Sequence, residues 1–140
     1  MLSLTDYCHS GTFDLTTENP IDLQSPLHAS NYPSNLHCTW LVTTNIPGYL
    51  HVVFVSFIGV ETNVDYLDIG YGGNVSLATS RVLHLSGISA PKWVTIEGDA
   101  MWALFYSNNK YGWYGFDMTI EWRESKGMYG KTVNLHSSAI

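Results

Sequence analysis

The sequence predicts an all-β fold, a sandwich or a barrel, and three observations carry that prediction. Aromatic residues make up 14% of the 140 residues, with five Trp and nine Tyr, and rings of that size suit pleated, half-buried surfaces. Turn signals recur at short spacing: Glu18-Asn19-Pro20, Ser25-Pro26, Asn31 to Asn35, Asn45-Ile46-Pro47-Gly48, Gly70 to Asn74, Gly98-Asp99 and Ser107 to Lys110. The runs between them are short, apolar or alternating, and hardly any keeps a helical period. Many short strands joined by frequent turns make a sandwich or a barrel.

The strands follow in order. Leu50 to Phe57 is the most apolar run and Tyr66 to Ile69 a short one beyond it. Arg81 to Leu85, Trp93 to Ile96 and Met101 to Tyr106 are rich in β-branched and aromatic residues. The last, Phe116 to Arg123, is the cleanest: Phe116, Met118, Ile120 and Trp122 alternate with Asp117, Thr119, Glu121 and Arg123. Such a strand buries one face and wets the other, as in an antiparallel sheet. Gly70 to Gly73 reads as a hairpin turn, since no Lys and no helix follow to make a phosphate cradle. Residues 1–124 therefore form a single domain, and 125–140, with Gly127, Gly130 and small polar residues, read as a loosely structured tail or linker.

Composition removes several function classes. With 45% hydrophobic and 13% charged residues a chain of this size builds a real core, which excludes disorder for the bulk. The formal charge is −6 and the six basic residues are scattered, so a nucleic-acid backbone is not the expected partner. The run from Leu50 to Val60 is broken by His51, Ser56 and Gly59, well short of the roughly 18 to 20 apolar residues of a membrane-spanning helix. No G-x-S-x-G elbow or comparable setting accompanies the plentiful Ser, His and Asp, and no catalytic residue is assigned. His9, His28, His37, His51, His84 and His136 lack H-x-x-x-H or HExxH spacing, which argues against zinc.

Cys8 and Cys38 can form one intramolecular pair and sit in no CxxC spacing. A disulfide is the leading reading, with two buried free thiols as the alternative. The sequon Asn74-Val75-Ser76 lies in a Gly-rich turn and agrees with a secreted or extracellular, N-glycosylated protein. The first residues lack a basic region followed by an apolar core, so a leader is expected to have been removed or to lie upstream of an excised domain.

The stretch Ser25-Pro26-Leu27-His28-Ala29-Ser30-Asn31-Tyr32-Pro33-Ser34-Asn35-Leu36-His37-Cys38-Thr39-Trp40 resembles the CUB-domain pattern S-P-x-Y-P-x-x-Y-P-x-x-x-x-C-x-W, with His28-Ala29 in place of the first Tyr-Pro. The likeness continues through Gly48-Tyr49-Leu50, Phe54, Asp65-Tyr66-Leu67-Asp68-Ile69, and Phe105-Tyr106-Ser107-Asn108 leading to Gly115-Phe116, from about Cys8 to Trp122. It implies a jelly-roll β-sandwich of two antiparallel sheets, used extracellularly as a noncatalytic interaction module. Cys8 and Cys38 match the family's first disulfide. The second falls near Thr62 and Ser86, both non-cysteine, so packing or an ion is expected to hold the loop after Phe57.

The resemblance also implies a Ca2+ site at one end of the sandwich, carried by Glu61, Asp65 and Asn108 with Tyr32 in support. Asn108 stands where the family has Asp, which removes one charge and weakens an ion that seeks six to eight oxygens. In the family a basic ligand side chain often approaches these carboxylates, so a basic protein partner is expected here, or other modules of the same protein. The run Asn109-Lys110-Tyr111-Gly112-Trp113-Tyr114-Gly115 sets three large rings among glycines. Tyr111, Trp113 and Tyr114 are the candidate binding residues, Trp113 first. A carbohydrate-binding module stacking these rings on a glycan is the alternative, and a structural assembly unit of a larger extracellular protein a third reading.

Overall fold

The computed structural model describes residues 8, 10–16, 19–26, 31–44, 49–89, 91–110 and 112–124. Ten strands run in the order β1 (Gly11–Asp14), β2 (Ile21–Gln24), β3 (His37–Thr43), β4 (Tyr49–Gly59), β5 (Tyr66–Tyr71), β6 (Arg81–Leu85), β7 (Ile88–Ser89), β8 (Lys92–Glu97), β9 (Ala100–Tyr106) and β10 (Gly115–Glu124). One sheet has the order β1-β3-β9-β5-β6; the other has β2-β10-β4-β7, with β8 also on β4. All six expected strands are present, each at least as long as expected.

The two sheets are mostly antiparallel, as expected; one pairing departs, β1 lying parallel to β3 with Gly11 opposite Trp40 and Asp14 opposite Thr43. The turn expected at Gly70 starts later: β5 continues to Tyr71, and the connection to β6 ends in a 3-10 turn at Ala78–Ser80. Gly70 stays in the strand because the Trp102 ring lies where its side chain would be; an added Cβ would come within 2.2 Å of that ring.

Alternation fills the core from both sheets. Cys38, Phe105, Leu67 and Leu85 stand in register across one sheet; Ile21, Ile120, Val53 and Val94 do so across the other. All are buried. The small Ala103 opposite Trp40 leaves room for the indole, which meets Phe116 of the facing sheet edge-on at 6.0 Å, while Phe105 and Phe116 meet at 5.0 Å. Large and small residues thus interdigitate between the layers. His51 belongs to this inner face, opposite Trp122 and Ile96, and burial lowers its imidazole to about 4, so it is neutral.

Strand β4 carries a bulge. Phe57 pairs with Asp117 and Val55 with Met118, leaving Ser56 as the extra residue. Period two along Val53 and Val55 would turn Phe57 inward; the inserted residue sends Ile58 and Val60 into the core and Phe57 outward.

Candidate functional site

The loops that precede β3, β5 and β10 and follow β4, β6 and β9 meet at one pole of the sandwich. Asp65, immediately before β5, is its centre and only 1% exposed. The Tyr32 hydroxyl donates to Asp65 Oδ2 at 2.5 Å, and the Asn108 amide N–H donates to Oδ1 at 2.9 Å. The same phenol oxygen accepts from the Glu61 N–H at 3.3 Å. The Tyr32 phenol and the main-chain N–H of Asn108 thus meet at the Asp65 carboxylate, and the main-chain N–H of Glu61 meets the same phenol. Burial and then the bond to Asp65 push the Tyr32 phenol up, so it stays a proton donor. Its ring is anchored in the core, edge-on to Phe105 at 5.0 Å.

Neutral donors alone serve Asp65, and neither it nor Glu61 takes part in an ion pair among the described residues. Glu61 Oε1 is buried without a hydrogen-bond partner. A buried carboxylate with no compensating cation is costly inside a protein, and the half-buried Glu61 adds one unsatisfied acceptor atom. The Asn108 side-chain oxygen accepts from the Lys110 N–H at 3.0 Å. No cluster of three or more His, Cys, Asp or Glu suited to a metal occurs among the described residues, so any cation at this pole would draw on amide, carbonyl or water oxygens as well.

The loop between β4 and β5 is held where a second disulfide would have been. Ser86 Oγ donates to the Asp65 carbonyl at 2.6 Å, with the Glu61 carbonyl at 3.3 Å sharing the proton, and accepts from the Asn63 N–H at 2.8 Å. Thr62 packs on Gly87, whose φ of +76° favours glycine and where an added Cβ would lie 2.9 Å from the Thr62 hydroxyl. The hydroxyl at 86 thus replaces a covalent tie with hydrogen bonds. Sequence reasoning did not mark Ser107, which donates to the Pro33 carbonyl and accepts from the Leu36 N–H, both at 2.9 Å; it fixes the Tyr32 loop on β9. Its position in F-x-S-x was the available signal.

Trp113 and Tyr114 are 41% and 66% exposed, so neither plugs the core; Tyr111 lies outside the described residues. The Trp113 carbonyl accepts from the Tyr32 N–H at 3.2 Å. Gly112 sits so close that a Cβ would fall 1.8 Å from the Tyr32 carbonyl oxygen. Two open depressions adjoin there: one of about 490 Å3 is bordered by Asn31, Ser34, Asn109 and Lys110, the other of about 330 Å3 by Asn31, Trp113 and Tyr114.

Cys8 and Cys38 are disulfide-bonded. Asn74 is exposed in the turn after β5, at the opposite pole. His9, His28, His136 and residues 125–140 lie outside the described residues. His84 lies against Asp68 on the outer face of the first sheet, where Arg81 also reaches Asp68 at 3.4 Å.

The fold has counterparts in known proteins. The chain is 25% identical over 111 residues to human cubilin, covering 77% of this chain and 3% of cubilin, so it spans a small fraction of that relative. Among solved structures it is similar to the CUB1-EGF-CUB2 domains of rat MASP-1, at TM-score 0.68 and 19% identity over 82% of this chain and 43% of that one. It is also similar to the MASP-1 CUB2 domain bound to Ca2+, at TM-score 0.63 and 18% identity over 80% of this chain and 98% of that one. The CUB domain family model matches residues 8–120. With the two-sheet architecture, the disulfide and that match, the chain belongs to the CUB domain family.

Proposed function

We propose that this CUB domain is a noncatalytic extracellular interaction module that binds a basic protein partner through the Asp65 pole, with Ca2+ held there. One observation carries the reading: Asp65 is buried under neutral donors only, and in the turn that its N–H closes on the Glu61 carbonyl the Glu61 Oε1 is buried with no partner. These residues fit a hard cation. Glu61, Asp65 and the Asn108 side-chain oxygen would hold it, with backbone carbonyls and waters completing the six to eight oxygens it seeks. When bound, the ion supplies charge neutralisation that ties the three loops together. Tyr32 orients the Asp65 carboxylate, and an acidic pole steers a basic partner toward it.

Calorimetric titration of chelator-treated protein with CaCl2, followed by melting with and without the ion, tests this. Binding that raises the melting temperature, is lost in Asp65→Ala and tightens in Asn108→Asp supports the site. An unchanged shift in Asp65→Ala overturns it. A second reading, a carbohydrate ligand, is favoured by the depressions beside Trp113 and Tyr114, whose amide and hydroxyl rim suits sugar hydroxyls; a glycan array tests it.

A further inference from the structure

The most apolar run of the chain, Leu50 to Val60, falls almost entirely in β4, and the core uses only one face of that strand. Val53, Val55 and Ile58 are the inward residues. Val52, Phe54 and, past the bulge, Phe57 stand on the outer face of the second sheet. A strand inside a sheet that is apolar on both faces is the mark of a sheet covered on both sides.

Neighbouring strands extend this outer stripe. Trp93 of β8 stands opposite Phe54 and stacks on it, ring centroids 4.2 Å apart at 27°. Phe57, 39% exposed, meets Tyr114, 66% exposed, at 6.4 Å. Both rings lie over Gly59, where a Cβ would come within 3.1 Å of Phe57 and 3.6 Å of Tyr114. Ile88 of β7, opposite Gly59 and 72% exposed, closes one end. From Val52 to Gly59 the stripe is about 20 Å long.

Acids line it on both sides. Across β10 and β2, Asp117 stands opposite Phe57, Glu121 opposite Val52, and Asp22 opposite Thr119, whose hydroxyl donates to it at 2.9 Å. Across β8, Thr95 stands opposite Val52 and the exposed Glu97 lies two residues further on the same face. Among the described bases Arg123 alone belongs to this face, paired with Glu121 at 2.7 Å; Lys92 alternates with Trp93 and belongs to the other.

We propose that this outer face docks a basic amphipathic helix of a partner protein. The helix lays its apolar side on Phe54, Trp93, Phe57 and Tyr114 and turns Lys or Arg toward Asp22, Asp117 and Glu97. Charge selects the occupant: a second copy of this chain would set the same acids against one another, and an anionic membrane would be repelled. A helix suits the surface because a sheet face offers side chains and no unpaired backbone groups, so whatever lies on it satisfies its own N–H and C=O groups. The stripe has the length of about four helical turns. This docking face is separate from the Asp65 carboxylate and calls for no cation there.

Fluorescence anisotropy of labelled peptides titrated with the whole chain tests the proposal. The probes are helices of about four turns: a Leu stripe flanked by Lys, a Leu stripe flanked by Glu, and a Ser stripe flanked by Lys. The Leu/Lys helix is expected to bind at least about tenfold tighter than the other two, the scale of one lost interface anchor. Tyr114→Ser and Trp93→Ser should each weaken it about tenfold, and Asp22→Lys combined with Glu97→Lys should weaken it and remove its salt dependence. Chelator and Asp65→Asn should leave it unchanged. Melting temperatures accompany every variant; Tyr114→Ser and the Asp22/Glu97 pair change only exposed side chains and carry the result if Trp93→Ser fails to fold. Equal binding of the Leu and Ser helices, equal binding of the Lys and Glu helices, affinity unchanged in those exposed variants, or no binding overturns the proposal. Affinity lost in chelator or in Asp65→Asn overturns it by placing the helix at the Asp65 pole. Self-association of the chain in sedimentation that Tyr114→Ser abolishes, or cosedimentation with phosphatidylserine vesicles that it abolishes, overturns it in favour of a second copy or a membrane.

Discussion

Replacing Tyr32 by Phe is the most direct probe of the Asp65 pole. The substitution keeps the ring and its edge-on contact with Phe105 at 5.0 Å, so no cavity beyond a hydroxyl is created. Two bonds are lost: the 2.5 Å donation to Asp65 Oδ2 and the 3.3 Å acceptance from the Glu61 N–H. A hydrogen bond to a charged group contributes about 1.5 to 3 kcal/mol, and the longer bond to Glu61 adds under about 1 kcal/mol. Because Asp65 is buried, water cannot fully replace the phenol. Tyr32→Phe is therefore expected to destabilise the fold by about 2 to 3 kcal/mol in urea unfolding. A double-mutant cycle with Asp65→Asn should give a coupling energy above about 1 kcal/mol, as expected of groups in direct contact. A loss below about 0.5 kcal/mol for Tyr32→Phe, or additive effects in the cycle, would refute the reasoning that this phenol holds the carboxylate in place.

Acid should act through His51: its imidazole is lowered to about 4 by burial, partly offset by Asp99, so the stability it contributes as a neutral ring is complete above pH 6.5 and falls as the pH drops toward 4. That loss is about 2 kcal/mol between pH 7 and pH 5; urea unfolding of wild type and His51→Leu at the two pH values should show it only in wild type. Gly112→Ala, whose Cβ would meet the Tyr32 carbonyl at 1.8 Å, should break the Trp113–Tyr32 bond and cost about 1 to 3 kcal/mol in the same assay. The exposed Asn74 should carry an N-glycan in material from a secretory host; enzymatic removal should lower the mass without altering the Ca2+-dependent melting shift, since Asn74 lies at the far pole.

Where a strand buries a face by alternation, the chain announces it, and Phe116 to Arg123 is the plainest case. β3 alternates as well, with Cys38, Trp40 and Val42 inward, but its first half lies inside the turn-rich Ser25 to Trp40 pattern, which masks the alternation. β1, Gly11–Asp14, shows no alternation because it is an edge strand with no buried residue; only its long-range pairing makes it a strand. At the pole, Glu61, Asp65, Asn108 and Tyr32 were legible through the family-like motifs, and Ser86 as the site of a missing cysteine. Phe57 and Ile88 were not legible. Their exposure follows from one inserted residue at Ser56 and a two-residue ladder at Gly59, and a register shift leaves no mark in composition.

The groups that meet at Asp65 come from positions 32, 61, 65, 86 and 108, and the strands that position them pair over comparable separations, with Ile21 against Ile120. Chains dominated by such distant pairings fold slowly, in about milliseconds to seconds, because loop closure must precede the contacts that reward it. No hairpin excised from this domain contains the pole, and a collapsed intermediate with some ladders still open presents only scattered acids and rings. Ligand capture at this end, as proposed, would therefore report completed folding, and a blot of denatured chain or a scan of its overlapping peptides would be silent where the native protein binds.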